Sequence, residues 1–238
     1  TEIYTLSLHD ALPISDLRFP EIEDAAGEKV EFSQGRYRSF LMSPDRRVRK
    51  DAFEAMHETY GSVRNTLACT LSANVRYHNY KAEVRHFGSA LEAALHPDNV
   101  PVSLYEALID AVHRALPGFH KYIELRKTIL KVDSLDMYDL YVPLVPEIDI
   151  KVPFEQAKTW VIDACAPLGE EYVTILKSAF EERWIDIYEN RGKRSGAYSS
   201  GCFDSLPYIL LNYNETLDDG FTLAHELGHS MHSWLANQ

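Results

Sequence analysis

His225 and His229 stand four residues apart, with Glu226 between them, in the run His225-Glu226-Leu227-Gly228-His229. Positions four apart on a helix lie one above the other on one face, so both imidazoles can reach a single ion. Zinc suits such a pair of neutral nitrogen ligands, and Glu226 then lies near enough to work on a metal-bound water. The metal would lower the pKa of that water to about 7 and polarise a carbonyl. Glu226, not itself a ligand, would take the water proton and pass it to a leaving amine. Hydrolysis of a peptide bond is the reaction class that needs all three functions together. A tetrahedral catalytic zinc also needs a third protein ligand. None is obvious before Gln238.

His232 lies seven residues after His225 on the same face. Along a straight helix that is about 10 Å, too far for three histidines to converge on one ion. Packing, or a hydrogen bond to a ligand, is the expected role for His232. The longer zinc motif of the metzincins would put glycine at 232 and histidine at 235; this chain has His232 and Leu235.

The elements that must position these side chains can be read from local signals. Glu215, Asp218 and Asp219 suit the positive end of a helix capped by Asn214 or Thr216, and this helix carries the motif. Before it, Pro207 to Tyr213 is a short β-prone run bounded by turn residues, hence a strand. Before that, Gly192 to Gly201 is too rich in glycine and serine for a stable helix. Two readings of that stretch stand side by side: a surface loop, or backbone along a cleft that binds an extended peptide by strand addition, with Gly196, Ala197, Tyr198 and Ser199 as candidate residues.

Upstream the pattern is helical. Ser43-Pro44-Asp45 is a helix start, and an apolar 3.6 period from Val48 through Leu67 carries that helix to about Tyr80. Ala90 to Leu95 is a short helix stopped by Pro97. Pro101 opens another with Leu104, Leu108, Val112 and Leu116 on one face, and Pro117 is expected to interrupt it. Met137 to Ile150 reads as an extended connection. Helices follow from Pro153 to Ala164 and from Glu170 to about Trp184. Asp16 to Phe40 reads as loop-rich and partly extended. The expected fold class is mainly α, with a small β-sheet beside the motif helix.

Composition narrows the partners. Apolar residues at 45% and aromatics at 11% are globular values. A formal net charge of −12 argues against nucleic acid or an anionic membrane as partner. No apolar run is long enough to span a bilayer. Cys69, Cys165 and Cys202 are odd in number and widely spaced, so reduced, mostly buried thiols in a cytoplasmic protein are expected rather than a disulfide framework. The first residues, TEIYTLSLHDALPI, resemble the direct translation of a widely used short-read sequencing adaptor. Thr1 to about Ser15 is therefore read as adaptor sequence fused to a gene fragment and set aside from the fold.

Several blocks together resemble the oligoendopeptidase F branch of the thimet oligopeptidase family of zinc metallopeptidases. They are PLGEEY at 167–172, RWIDIYENRGKRSGAYSSG at 183–201, PYILLNYNET at 207–216 and FTLAHELGHSMHS at 221–233. FPEIED, GRYRSFL, DRRVRKDAFEAM and the YDLYVPL segment are similar as well. The resemblance implies a largely helical, two-lobed peptidase whose channel admits short unstructured peptides. It implies one zinc per complete site, His225 and His229 as ligands and Glu226 as general base. It also implies a third ligand, a glutamate on a later helix beyond Gln238, and so a fragment that is inactive by itself. The expected organisation is residues 1–15 adaptor-derived, 16–60 an N-terminal oligopeptidase F-like region and 61–238 a partial catalytic metallopeptidase domain. A non-catalytic helical scaffold that binds peptides, and a metal-dependent hydrolase of a non-peptide bond, are the competing readings.

Overall fold

The computed structural model describes residues 17–145, 150–190 and 192–238. The adaptor-like stretch, except its surroundings from Leu17 on, and part of the expected connection at 137–150 lie outside the described residues. The chain divides into two compact units, one holding Phe53–Leu144 and the other Phe19–Ala52 with Val145–Gln238. The motif helix belongs to the second.

That second unit begins with a hairpin of β1 (Glu21–Glu23) and β2 (Lys29–Glu31), antiparallel with Ile22 opposite Val30. Its turn is held by the Asp24 carboxylate, which accepts from the backbone of Ala26 and Glu28, and Gly27 supplies the positive φ. Phe32 is buried behind the hairpin, edge-on to Phe19, Tyr37 and Phe40, the last two on α1 (Tyr37–Leu41). Helix α2 (Arg46–Gly61) follows. Its start is two or three residues later than Ser43-Pro44 suggests, because Asp45 is the residue whose carboxylate accepts from the Arg47 amide.

The main core of this unit lies between α6 (Phe154–Cys165), α7 (Glu170–Glu181), a three-stranded sheet and α8 (Leu217–Ala236). The strands are β3 (Ile185–Asp186), β4 (Tyr198–Ser200) and β5 (Tyr208–Leu210), in the order β3-β5-β4. β5 is central, parallel to β3 and antiparallel to β4. Leu223, Leu227 and Met231 of α8 repeat at helical spacing and are buried against Ile209, Leu211 and Trp184 of the same cluster. Trp184 stacks on Trp234 of α8, with ring centroids 5.2 Å apart. The N-terminus of α8 is closed by a capping box: the Thr216 hydroxyl accepts from the Asp219 amide, and the Asp219 carboxylate accepts from the Thr216 amide. The mainly helical class and the sheet beside the motif helix are as expected.

The first unit carries the rest of α2, then α3 (Arg64–Val84), α4 (Ala90–Leu95) and α5 (Val102–Leu130). Two expectations fail here for local reasons. The long helix expected from Ser43 to Tyr80 breaks between Gly61 and Arg64, where the Gly61 backbone is permissive and the Ser62 hydroxyl turns back to the Thr59 carbonyl. Conversely, Pro117 lies inside α5 rather than ending it. The proline removes one helical hydrogen bond, and on this exposed stretch the freed His113 carbonyl can take water instead. The apolar face of this helix is largely open: Leu104, Leu108 and Val112 are exposed, and Leu116 is half-buried. Arg126 is buried at the other end of α5, donating to the carbonyls of Asp139 and Val142 and to the Tyr122 hydroxyl. The thiols also depart from expectation. Cys69 and Cys202 are exposed and Cys165 is half-buried; all three are free.

Tyr213 ends the run after β5 and is buried, its hydroxyl donating to the Val152 carbonyl at 2.8 Å. Burial, then the nearby Asp219 and Glu215 carboxylates and Tyr188, push its pKa up to about 12. The unfolded chain ionises a tyrosine near 10, so the folded state holds this proton longer. The linked stability is fully present below about pH 10 and is lost as pH rises towards 12, by up to roughly 2–3 kcal/mol. Urea unfolding at stepped pH should show that fall in the parent and a flatter profile in Tyr213→Phe. At neutral pH, Trp184→Ala should cost about 3–5 kcal/mol in the same measurement, since its side chain is almost fully buried.

Candidate metal and peptide site

Helix α8 brings the sequence-predicted residues together. The imidazoles of His225 and His229 meet Nε2 to Nε2 at 3.0 Å, with ring planes close to perpendicular. Two imidazoles on one tetrahedral zinc, at Zn–N distances of 2.0–2.1 Å, place their nitrogens about 3.3 Å apart. The pair therefore has the bite that the ion requires. Both rings are solvent-exposed, so a metal and a substrate can approach them.

Glu226 lies between these histidines in sequence and is only 8% exposed. No hydrogen bond or ion pair to a described residue holds its carboxylate. A carboxylate with no protein partner, at the border of the core, is free to meet an adjacent divalent cation and its bound water. The donor set fits zinc for this reason as well as by its nitrogens. Among the described residues, no group of three or more His, Cys, Asp or Glu side chains is arranged to hold a metal. His232 is exposed, on the same outward side as the two histidines.

The Gly/Ser stretch is β4, and its place in the sheet determines what it can bind. The amides of Ile209 and Leu211 donate to the carbonyls of Trp184 and Asp186 at 2.8 Å, so these residues of the β5 run turn their polar backbone towards β3. Their alternates, Tyr208 and Leu210, therefore face β4, where they stand opposite Ser200 and Tyr198. Ser199, opposite Ile209, is left with its N–H and C=O on the far side. Among the described strands, that side is the free edge of the sheet. Ala197, two residues back, follows the same alternation.

Before β4, the Asn212 amide nitrogen donates to the carbonyls of Arg194 and Gly196 and ties the loop to the end of β5. Gly196 takes a φ of +90°, a conformation that a side chain would strain. Gly196, Ala197 and Asn212 line a cleft of about 390 Å³ that also reaches Thr222 on α8, one turn before His225. Tyr198 is exposed on the opposite face of the strand, where Arg194 lies over its ring.

Sequence reasoning missed two residues in this neighbourhood. Asn212 sits in a run read only as a strand, and its role depends on the loop folding back. Ser230 is fully buried, and its hydroxyl lies 2.8 Å from that of Ser199. The available signal was its spacing, one helical turn after Glu226 on the inward side.

Most of the chain is similar to known proteins. The chain is 46% identical over 220 residues to the oligopeptidase PepF of Bacillus subtilis, covering 92% of this chain and 33% of that protein. It is 41% identical to the solved oligoendopeptidase-F of Enterococcus faecium, with a TM-score of 0.59 over 76% of this chain and 34% of that one. A solved PZ peptidase A shares the fold at 22% identity, with a TM-score of 0.76 over 97% of this chain and 41% of that one. The chain thus spans about a third of the length of the curated relatives it matches. The sequence pattern of peptidase family M3 matches residues 39–238, and the chain belongs to that family.

Proposed function

We propose that this chain carries the metal helix and the peptide-binding edge of a zinc metalloendopeptidase acting on short, unstructured peptides. The observation that carries the reading is the 3.0 Å approach of the two Nε2 atoms beside the buried, unpartnered Glu226. His225 and His229 are the ligands that would hold zinc, and zinc would supply an activated water and a polarised carbonyl. Glu226 is the general base in this reading; no described residue pairs with its carboxylate, which leaves it free to accept a proton.

Substrate enters the reading through the sheet edge. An extended peptide laid along β4 would pair with the backbone N–H and C=O of Ser199 and of Ala197, while Gly196 leaves room beside it. Tyr198 would contribute an exposed ring next to the chain. Backbone pairing recognises the amide itself and demands an unfolded substrate, which favours peptides over a non-peptide bond. A scaffold that binds peptides without cutting them would have no use for a buried carboxylate beside two converging imidazoles. A third metal ligand belongs to the complete site, and with two histidines this chain should hold zinc weakly. No helix of the described residues is long and apolar enough to cross a membrane. The cytoplasm is the compartment we propose, on the family and the free thiols.

Zinc titration against a chelating dye should show one weak, rapidly exchanging site per chain that disappears in His225→Ala and in His229→Ala. Tight binding that survives either substitution would remove these residues from the metal. In a form extended to the length of the relatives, Glu226→Gln should retain zinc and lose hydrolysis of a quenched oligopeptide by at least about a hundredfold. Hydrolysis at the parent rate would end the assignment of Glu226 as base.

A further inference from the structure

Three segments meet at one buried hydroxyl. Ser230, immediately after His229, is fully buried, and its oxygen is 3.3 Å from the Pro207 carbonyl and 2.8 Å from Ser199 Oγ. A hydroxyl carries one proton. With the Pro207 carbonyl able only to accept, Ser230 donates to it and accepts from Ser199. The chain of bonds runs from β4, through the motif helix, to the entrance of β5.

Ser199 is also the residue whose backbone faces the free edge. The same residue therefore offers its main chain to a peptide and its side chain to the metal helix. β4 is only three residues long and pairs with β5 on one side, so its ladder alone holds it lightly. A close approach further along limits how it can shift: a Cβ on Gly201 would lie 3.1 Å from Pro207 Cα and 3.2 Å from the Leu206 carbonyl oxygen. Ser230 is one turn beyond Glu226 on α8. The distance from the sheet edge to Glu226 and the two histidines is thus set where the hydroxyls meet.

We propose that Ser199 and Ser230 are a positioning pair for peptide binding, fixing the edge of β4 against the metal helix. The inference rests on the reading of β4 as the peptide-binding edge. Neither serine touches the metal, so the pair acts on where the peptide lies and not on whether the ion binds.

The test uses this chain with zinc present, a dye-labelled unstructured nonapeptide, and the same peptide N-methylated at alternate amides so that it cannot pair with a strand. Fluorescence anisotropy should show binding of the first peptide and loss of binding for the second. Ser199→Ala and Ser230→Ala should each weaken binding by roughly fivefold to tenfold, the loss expected for one buried hydrogen bond. The double variant should be no weaker than the single ones, and Ser199→Thr, which keeps the hydroxyl, should return to within about twofold of the parent. Zinc affinity should not move. The pair is refuted by parental binding in both alanine variants, by losses that multiply in the double variant, or by Ser199→Thr behaving as Ser199→Ala. If Ser230→Ala fails to fold, the comparison of Ala with Thr at the half-buried position 199 decides alone. If the parent binds both peptides equally or neither, the strand-addition reading itself fails and the pairing falls with it.

Discussion

The rotation of α8 about its own axis is the constraint on which the site depends, and burial of one stripe sets it. At about 100° per residue, Leu223, Leu227, Ser230 and Met231 fall within a sector of roughly 100°. All four are buried against the sheet and its flanking helices. His225, His229 and His232 project from the opposite side, where they are exposed. Glu226 lies on the border between the two sectors, on the side of His229. A helix turned by a quarter would drown the histidines or expose the carboxylate. Each fully buried leucine contributes about 2–3 kcal/mol to holding the rotation that places the two nitrogens 3.0 Å apart. The capping box at Thr216 and Asp219 anchors one end of the helix, and the stack of Trp184 on Trp234 anchors the other.

That arrangement has an electrostatic consequence. Glu226 is held close to the core by the same packing that turns the imidazoles outward, and no described residue pairs with its carboxylate. Other polar groups of α8 are paired: Asp219 is used twice by the cap, and Arg38 forms a two-pronged pair with Asp218 on the exposed side of the helix.

What the sequence discloses follows from how local each feature is. The motif helix and its cap are legible because the residues that signal them lie within one or two turns. Ala90–Leu95 and the helix after Pro153 are legible for the same reason, through Ser89 and the prolines. β3 and β4, two and three residues long, carry too little pattern; they exist because β5 pairs with both, β3 from 24 positions away and β4 from 8 to 12. Periodicity locates an apolar face but not its cover, as Leu104, Leu108 and Val112 illustrate. Pro117 and Gly61 show a related ambiguity, since a helix tolerates a proline where water replaces the lost bond and yet ends at a glycine that a side chain exploits. The Ser199–Ser230 contact is the extreme case: two small polar residues 31 positions apart, neither of which announces a partner.

The Gly/Ser run between 192 and 201 has a composition that looks like loop but serves an edge. Each small residue answers a spatial demand. Gly196 takes a left-handed turn that delivers the chain onto the strand, and its carbonyl is then held by Asn212. Ser199 fits against the helix because its side chain is short and can share a proton with Ser230. Gly201 passes so close to Pro207 that a methyl group would force the strands apart. Larger residues would give β4 a stronger intrinsic preference for strand, but would push its free edge away from α8. Low local propensity is thus the condition for bringing open backbone hydrogen-bonding groups near the motif helix, and packing against α8 and β5 supplies the order that composition withholds.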